Sequence, residues 1–331
     1  MMNKIFTATL SAQASTLNRA GSRRFVDLIS LGLMLGLLNA CATNSQRAAD
    51  DDRQNITLRF AAEIDGKPMR CGEAYEAVGT TKVRVTPTDF RFFVSSVELL
   101  DRAGRAVTLH LEQDGVWQLD RIALLDFEDG TGPCRNGTPA VNTTIRGWLP
   151  RGDYVGVRFT LGLPFERNHA DPTTAPAPLN NTAMFWNWQG GYKFLRVDLA
   201  TPRPSPAATT SNTAPNTAPM RGHGTGAASG FPVHLGSTQC ASPAPTQAPM
   251  SCVNSNRVHV QLDSFDPARS VIVADIATVL ARADLRINTP GTAPGCMSFP
   301  KDADCPPIMA ALGLTYDGVA SSKPQRLFSV R

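Results

Sequence analysis

The chain is sparing with the residues that usually carry chemistry. Of 331 residues only 5 are His, 4 are Trp and 4 are Tyr, and charged residues make up 18%. No Gly-x-Ser-x-Gly elbow, His-Glu-x-x-His pair, Walker or dinucleotide glycine loop, or Cys-x-x-Cys-His site occurs, which removes the common hydrolase, zinc-protease, nucleotide and c-haem templates. Cysteines at the C-x2-4-C spacing of thiolate metal sites are missing too. No internal repeat of 20–50 residues is visible, which argues against a solenoid. What is present excludes two further classes. With 42% hydrophobic residues the chain is too apolar for wholesale disorder, and with 25 Pro and 26 Gly it is too rich in breakers for a helical bundle.

The first forty residues read as an address. Arg19, Arg23 and Arg24 precede the apolar run 25–38, FVDLISLGLMLGLL, and Leu38-Asn39-Ala40-Cys41 follows it. A basic segment, a short apolar segment and small residues at its end make a secretory signal. The run falls short of the ~20 apolar residues a membrane span needs. The ending is similar to a bacterial lipobox, which makes Cys41 the lipidated first residue of the mature chain. Ala42 after it leans toward the outer membrane, so the expected location is the periplasm or cell surface. Two features of the whole chain change with this division. The formal charge of +4 falls to +1 once residues 1–40 are removed, and with it the case for a nucleic-acid partner. The seven Cys become six: Cys71, Cys134, Cys240, Cys252, Cys296 and Cys305. An even number in an oxidising compartment implies disulfides. Six Cys allow 15 pairings; local closure favours Cys240–Cys252 and Cys296–Cys305, leaving Cys71–Cys134. Paired cysteines also leave no thiolate for a blue-copper site.

Residues 41–54 are polar and read as a flexible tether. From 55 to 331 the pattern is that of one domain: a mostly β, antiparallel β-sandwich with long decorated loops and one short helix in the C-terminal half. Ile56, Leu58, Phe60, Ala62 and Ile64 recur at the two-residue period of a half-buried strand. Residues 82–85, 90–100, 106–112, 154–161, 191–200 and 257–265 are further strand candidates, with a turn at 101–104. Only 275–285 carries helical spacing, through Ile276, Val279, Leu280 and Leu285. Residues 201–230 hold no Val, Ile, Leu or aromatic residue, and such a segment cannot offset its ordering entropy, so a disordered insertion is expected there.

The densest aromatic stretch is 163–196. It contains His169, Phe185, Trp186, Trp188, Tyr192 and Phe194. If 184–188 is extended, Trp186 and Trp188 share a face. A second cluster, FPVHLGSTQC at 231–240, places His234 near a disulfide candidate. His110 and His259 read as ordinary strand residues, and His223 lies in the low-complexity segment. Asp89, Asp126, Glu128 and Asp198 read as hydrogen-bond acceptors with no base or nucleophile paired to them.

Asn168-His169-Ala170-Asp171-Pro172, the APLN that follows, MFWNWQGGYKFLRVD, HLGSTQC and GCMSFPKDADCPPI together resemble the four-Cys proteins of the metallo-mystery pair system. That family includes periplasmic copper-binding proteins associated with methanobactin and copper acquisition. The resemblance runs from about Ile56 to Leu314. The chain departs from the family in the extra length at 201–230 and in having six mature Cys rather than four.

The resemblance implies a non-enzymatic, lipid-anchored copper-binding protein. Its partner would be a di-haem, cytochrome c peroxidase-like enzyme that oxidises a Trp to kynurenine. By motif, His169 and His234 are the imidazole ligands and Trp186 or Trp188 is the oxidised residue. The chemistry is reasonable, because an indole N–H is a donor only. Ring opening exposes an aniline-type nitrogen, and imidazole suits copper. The competing reading is a structural or ligand-binding surface lipoprotein without metal, favoured by the absence of Met- or His-rich runs.

Overall fold

The computed structural model describes residues 52–187, 189–202, 230–244 and 247–331. The signal segment 1–40, Cys41, most of the tether, Trp188 and most of the 201–230 insertion lie outside these residues. Arg53–Arg331 clusters as one compact unit. Its first strand, Arg53–Ile64, takes in the last two residues of the expected tether. Among the described residues no helix is long and apolar enough to cross a membrane.

Two sheets carry the fold. In the first, Arg53–Ile64 lies between Thr144–Pro150 and Val271–Asp275, with His110–Leu111 and Phe328–Val330 at the ends. In the second, the order is Val233–Leu235, Leu195–Ala200, Val83–Asp101, Tyr154–Leu161 and Val258–Asp263. The sheets meet through aromatic rings. Phe60 and Phe328 of the first pack against Phe92 and Phe159 of the second, with centroids 5.1–6.1 Å apart and all four pairs edge-on. Such pairs contribute about 0.5–1.5 kcal/mol each beyond the area they bury.

The alternation in Arg53–Ile64 is the expected one, with Leu58, Phe60, Ala62 and Ile64 inward. Val83–Asp101 behaves differently. Its ends alternate, but Asp89 to Ser95 are all buried, because this stretch is covered on both faces. Phe90 and Phe92 face the sandwich, whereas the alternate positions Asp89, Arg91 and Phe93 face a layer of loops. Tyr192 of that layer stands edge-on to Phe93.

The mostly β, antiparallel character is as expected, and two details differ. Val271–Asp275 runs parallel to Arg53–Ile64, from Arg59 opposite Val271 to Glu63 opposite Asp275, so the first sheet is mixed rather than wholly antiparallel. Among the described residues there are three short α-helices rather than one: Phe165–Asn168, Ile276–Leu280 and Pro306–Ala311. The expected helix is also shorter than its spacing implied. The chain leaves the helix after Leu280, and Leu285 is buried from a turn. Pro306–Ala311 escaped notice because its prolines occupy the first helical turn, where they cost no hydrogen bond.

Among the described residues three disulfides form: Cys71–Cys134, Cys240–Cys252 and Cys296–Cys305. The two favoured by local closure span 12 and 9 residues.

Candidate metal centre

The outer face of the second sheet carries a layer of charge. Strand alternation places Asp89 and Arg91 on one strand and Arg196 and Asp198 on the next. The register sets Arg196 opposite Arg91 on one side and opposite His234 on the other. Between Asp198 and Leu199 the register shifts opposite Pro87. A proline has no N–H for the ladder, and a bulge is where a strand tolerates one.

The charges join into a chain. Arg91 forms a two-point salt bridge with Asp89, and both are fully buried. Arg196 Nε lies 3.1 Å from Asp89 Oδ2, and its Nη2 donates to Asp198 Oδ2 at 2.7 Å. His234 Nε2 lies 2.6 Å from Asp198 Oδ1. Burial by itself would raise the Asp198 carboxyl. The hydrogen bond and charge of His234, with the charge of Arg196, outweigh that and hold it down to about 2.

His234 is buried, and burial lowers its pKa against the opposing pull of Asp198. With Nε2–H donated to Asp198, the ring in its neutral form keeps its lone pair on Nδ1. That Nδ1 is buried and has no hydrogen-bond partner. A carboxylate behind one imidazole nitrogen, with the other nitrogen open, is the arrangement found behind metal-ligating histidines. The backbone is pinned as well. His234 N donates to Cys296 O, and Ser298 Oγ donates to His234 O at 2.9 Å, so the Cys296–Cys305 loop holds the strand in place.

Trp186 lies over Gly236, two residues after His234. It is half-buried in the short strand Phe185–Asn187, and its ring stacks on Phe299 at 5.8 Å with an interplanar angle of 29°. A Cβ on Gly236 would come within 2.5 Å of the indole, so the absence of a side chain two residues after His234 makes room for the ring. Lys193 Nζ and Arg196 Nη1 both donate to Ala183 O, at 2.8 and 2.9 Å, which fastens the Trp186 segment to the charged layer. Burial, with repulsion from Arg196, brings Lys193 down to about 8.

His169 has different surroundings. It follows the helix Phe165–Asn168, and its ring stands edge-on to Phe165 at 5.3 Å. Asn168 Oδ1 accepts from Tyr192 N, so its Nδ2 donates to His169 Nε2 at 3.2 Å. The same Nε2 lies 3.6 Å from Cys252 Sγ. Among the described residues, two groups of His, Cys, Asp or Glu have all ligand atoms within 4.8 Å of one another. One is His169 with Cys240 and Cys252, and the other is Glu128 with Cys71 and Cys134. His234 belongs to neither. Its side-chain partner is Asp198.

The structure also revises the reading of the acidic residues. Asp89, Asp126 and Glu128 are buried, and Asp198 belongs to the same layer, so these are not simple loop acceptors. Burial raises Asp126 to about 7, and burial likewise raises Glu128, whose Oε2 has no hydrogen-bond partner. The signal in the sequence was the alternation Asp-x-Arg at 89–91 and Arg-x-Asp at 196–198 in otherwise apolar strands. His110 stacks on Trp148 and His259 contacts Thr160, as strand residues do.

A family model described as MbnP matches residues 53–298, most of the chain. The chain belongs to the MbnP family. A solved MbnP from Methylosinus trichosporium is similar to it throughout, with 32% identity and a TM-score of 0.69, covering 84% of this chain and 98% of that one. No curated protein matches. This member of the MbnP family has six cysteines in its described domain, all paired, rather than the four of the expected motif. The MbnP match ends at residue 298, so His169, Trp186 and His234 lie inside it and Cys305 lies beyond it.

Proposed function

We propose that the protein binds copper outside the cytoplasm, anchored through lipid on Cys41 at the periplasmic or outer surface. His234, through Nδ1, and His169, through Nε2 once the Asn168 amide releases it, are the imidazole ligands. Trp186, oxidised to kynurenine by a di-haem peroxidase-like partner, supplies the third nitrogen. The observation that carries this reading is the buried, unpartnered His234 Nδ1 backed by an ionised Asp198. Membership of the MbnP family and the similarity to the Methylosinus protein support it.

The donor set suits copper, since imidazole and an aniline-type nitrogen are ligands of intermediate softness. Bound copper supplies a redox-active or transferable ion. The chain's own residues do the rest. Asp198 fixes the His234 tautomer, Phe299 and Gly236 seat the indole, and Lys193 and Arg196 hold its strand. The role is binding rather than catalysis.

Protein purified from its native host tests this directly. The Trp186 peptide is expected to have gained one oxygen and lost one carbon, with copper at one per chain. His234→Ala should lose the copper while keeping the fold. An intact indole together with no copper would refute the reading and favour a metal-free surface lipoprotein.

A further inference from the structure

The Cys240–Cys252 disulfide is placed differently from the other two. Cys134, Cys296 and Cys305 are buried, so each of the other bridges has at least one sulfur sealed in the core. Cys240 and Cys252 are both partly exposed, at directly paired positions of the separate two-stranded sheet Thr238–Ala241 and Ser251–Asn254. Met250 and Val253, close on either side of Cys252, are at least three-quarters exposed. On its inner side the bridge meets His169, with Nε2 3.6 Å from Cys252 Sγ and all three ligand atoms within 4.8 Å of one another.

We infer that Cys240–Cys252 is a redox-gated ligand pair, which on reduction forms with His169 an alternative site for monovalent copper. A dithiol reductant supplies both electrons. Its thiolate attacks Cys240 Sγ, the S–S bond breaks, and the electron pair leaves on Cys252 Sγ beside His169. The second thiol of the reductant then displaces Cys240. The chain ends with two thiols and the reductant with a disulfide. When the ion binds, both thiols release their protons, giving two thiolates and one imidazole. Soft thiolates favour Cu(I), with zinc as the competing ion.

Oxidised, the hairpin is a structural staple; reduced, it holds an ion. The inference shares His169 Nε2 with the copper reading above, so the two sites compete for one lone pair, and it rests on that reading only for the identity of the metal. It needs neither His234 nor an oxidised Trp186.

The test uses the metal-free mature chain with Trp186 unoxidised and its disulfides formed, treated anaerobically with a dithiol and titrated with Cu(I) against a chromophoric Cu(I) chelator. Opening this bridge is expected to add one Cu(I) per chain, with an ultraviolet thiolate-to-Cu(I) charge-transfer band. Bound Cu(I) should protect Cys240 and Cys252 from alkylation. The Cys240→Ser/Cys252→Ser variant should lose both the added ion and the band. His169→Ala should keep the thiols but bind about tenfold or more weakly. His234→Ala should leave the reduced-state ion in place, so failure of the copper reading and failure of this one are separable. The inference is overturned if reduction adds no Cu(I), if the gain survives in the double variant, or if alkylation shows another bridge opening first. Should the double variant not fold, the alkylation pattern of the unsubstituted chain decides.

Discussion

Replacing Asp198 by Asn probes the frame that holds His234. The native carboxyl sits at about 2 against 3.8 in an unfolded chain. One pKa unit corresponds to about 1.4 kcal/mol, so the shift is worth about 2 kcal/mol at neutral pH. The pKa is depressed in the folded state. Its stabilisation is therefore complete above the unfolded value and disappears as pH falls toward 2. The amide introduced by Asp198→Asn retains an oxygen to accept from His234 Nε2, but it has no charge. Arg196 then keeps one of its two carboxylates, Asp89 at 3.1 Å. In urea unfolding of the metal-free protein, Asp198→Asn should be less stable by about 1–2 kcal/mol at neutral pH, with the difference closing in acid. Copper affinity of the matured protein should fall about 10- to 100-fold, as when a carboxylate behind a ligating His is changed. Equal stability across this range, or a gap that widens toward acid, would refute the electrostatic account. Unchanged copper affinity would remove Asp198 from the site.

Two further outcomes can be checked by similar means. Gly236→Ala places a methyl 2.5 Å from the Trp186 ring and 2.9 Å from Tyr192 O. It should cost about 1–3 kcal/mol and shift the indole fluorescence, and an unshifted spectrum would show that the ring is seated elsewhere. Asp126, raised to about 7 from 3.8, makes the folded state prefer a proton, so native stability falls as pH rises through that window. Asp126→Asn should therefore stabilise by about 1–3 kcal/mol above pH ~8 and do nothing near pH ~4, as read by chemical unfolding; a gain of equal size at both would show packing to be the cause.

The β character of the domain was legible because alternation is local. Leu58, Phe60, Ala62 and Ile64 show their inward face within a few residues, and the strand Tyr154–Leu161 coincides with its pattern. The double burial of Asp89–Ser95 was not legible, since a strand covered on both faces loses the alternation that would reveal it. The parallel strand Val271–Asp275 was hidden for a related reason. A five-residue apolar run does not state its direction or its partner. At the site, His169, Trp186 and His234 could be chosen by residue type and motif. Nothing in the spacing linked Asp198 to His234, 36 residues away, or Gly236 to the indole.

The class of structure and the oxidised state of the cysteines follow from the linear order of residues alone. Hydrophobic period, turn residues and the count of Cys are properties that neighbours along the chain can express. Which imidazole nitrogen is open, and which disulfide meets a histidine, came from tertiary contacts. Both depend on registers between distant strands: Arg196 opposite His234 sets the charged layer, and Cys240 opposite Cys252 sets the bridge beside His169. A lone pair becomes available to a metal only when burial removes water and a fixed carboxylate occupies the other nitrogen, and those two conditions are met in space rather than along the chain.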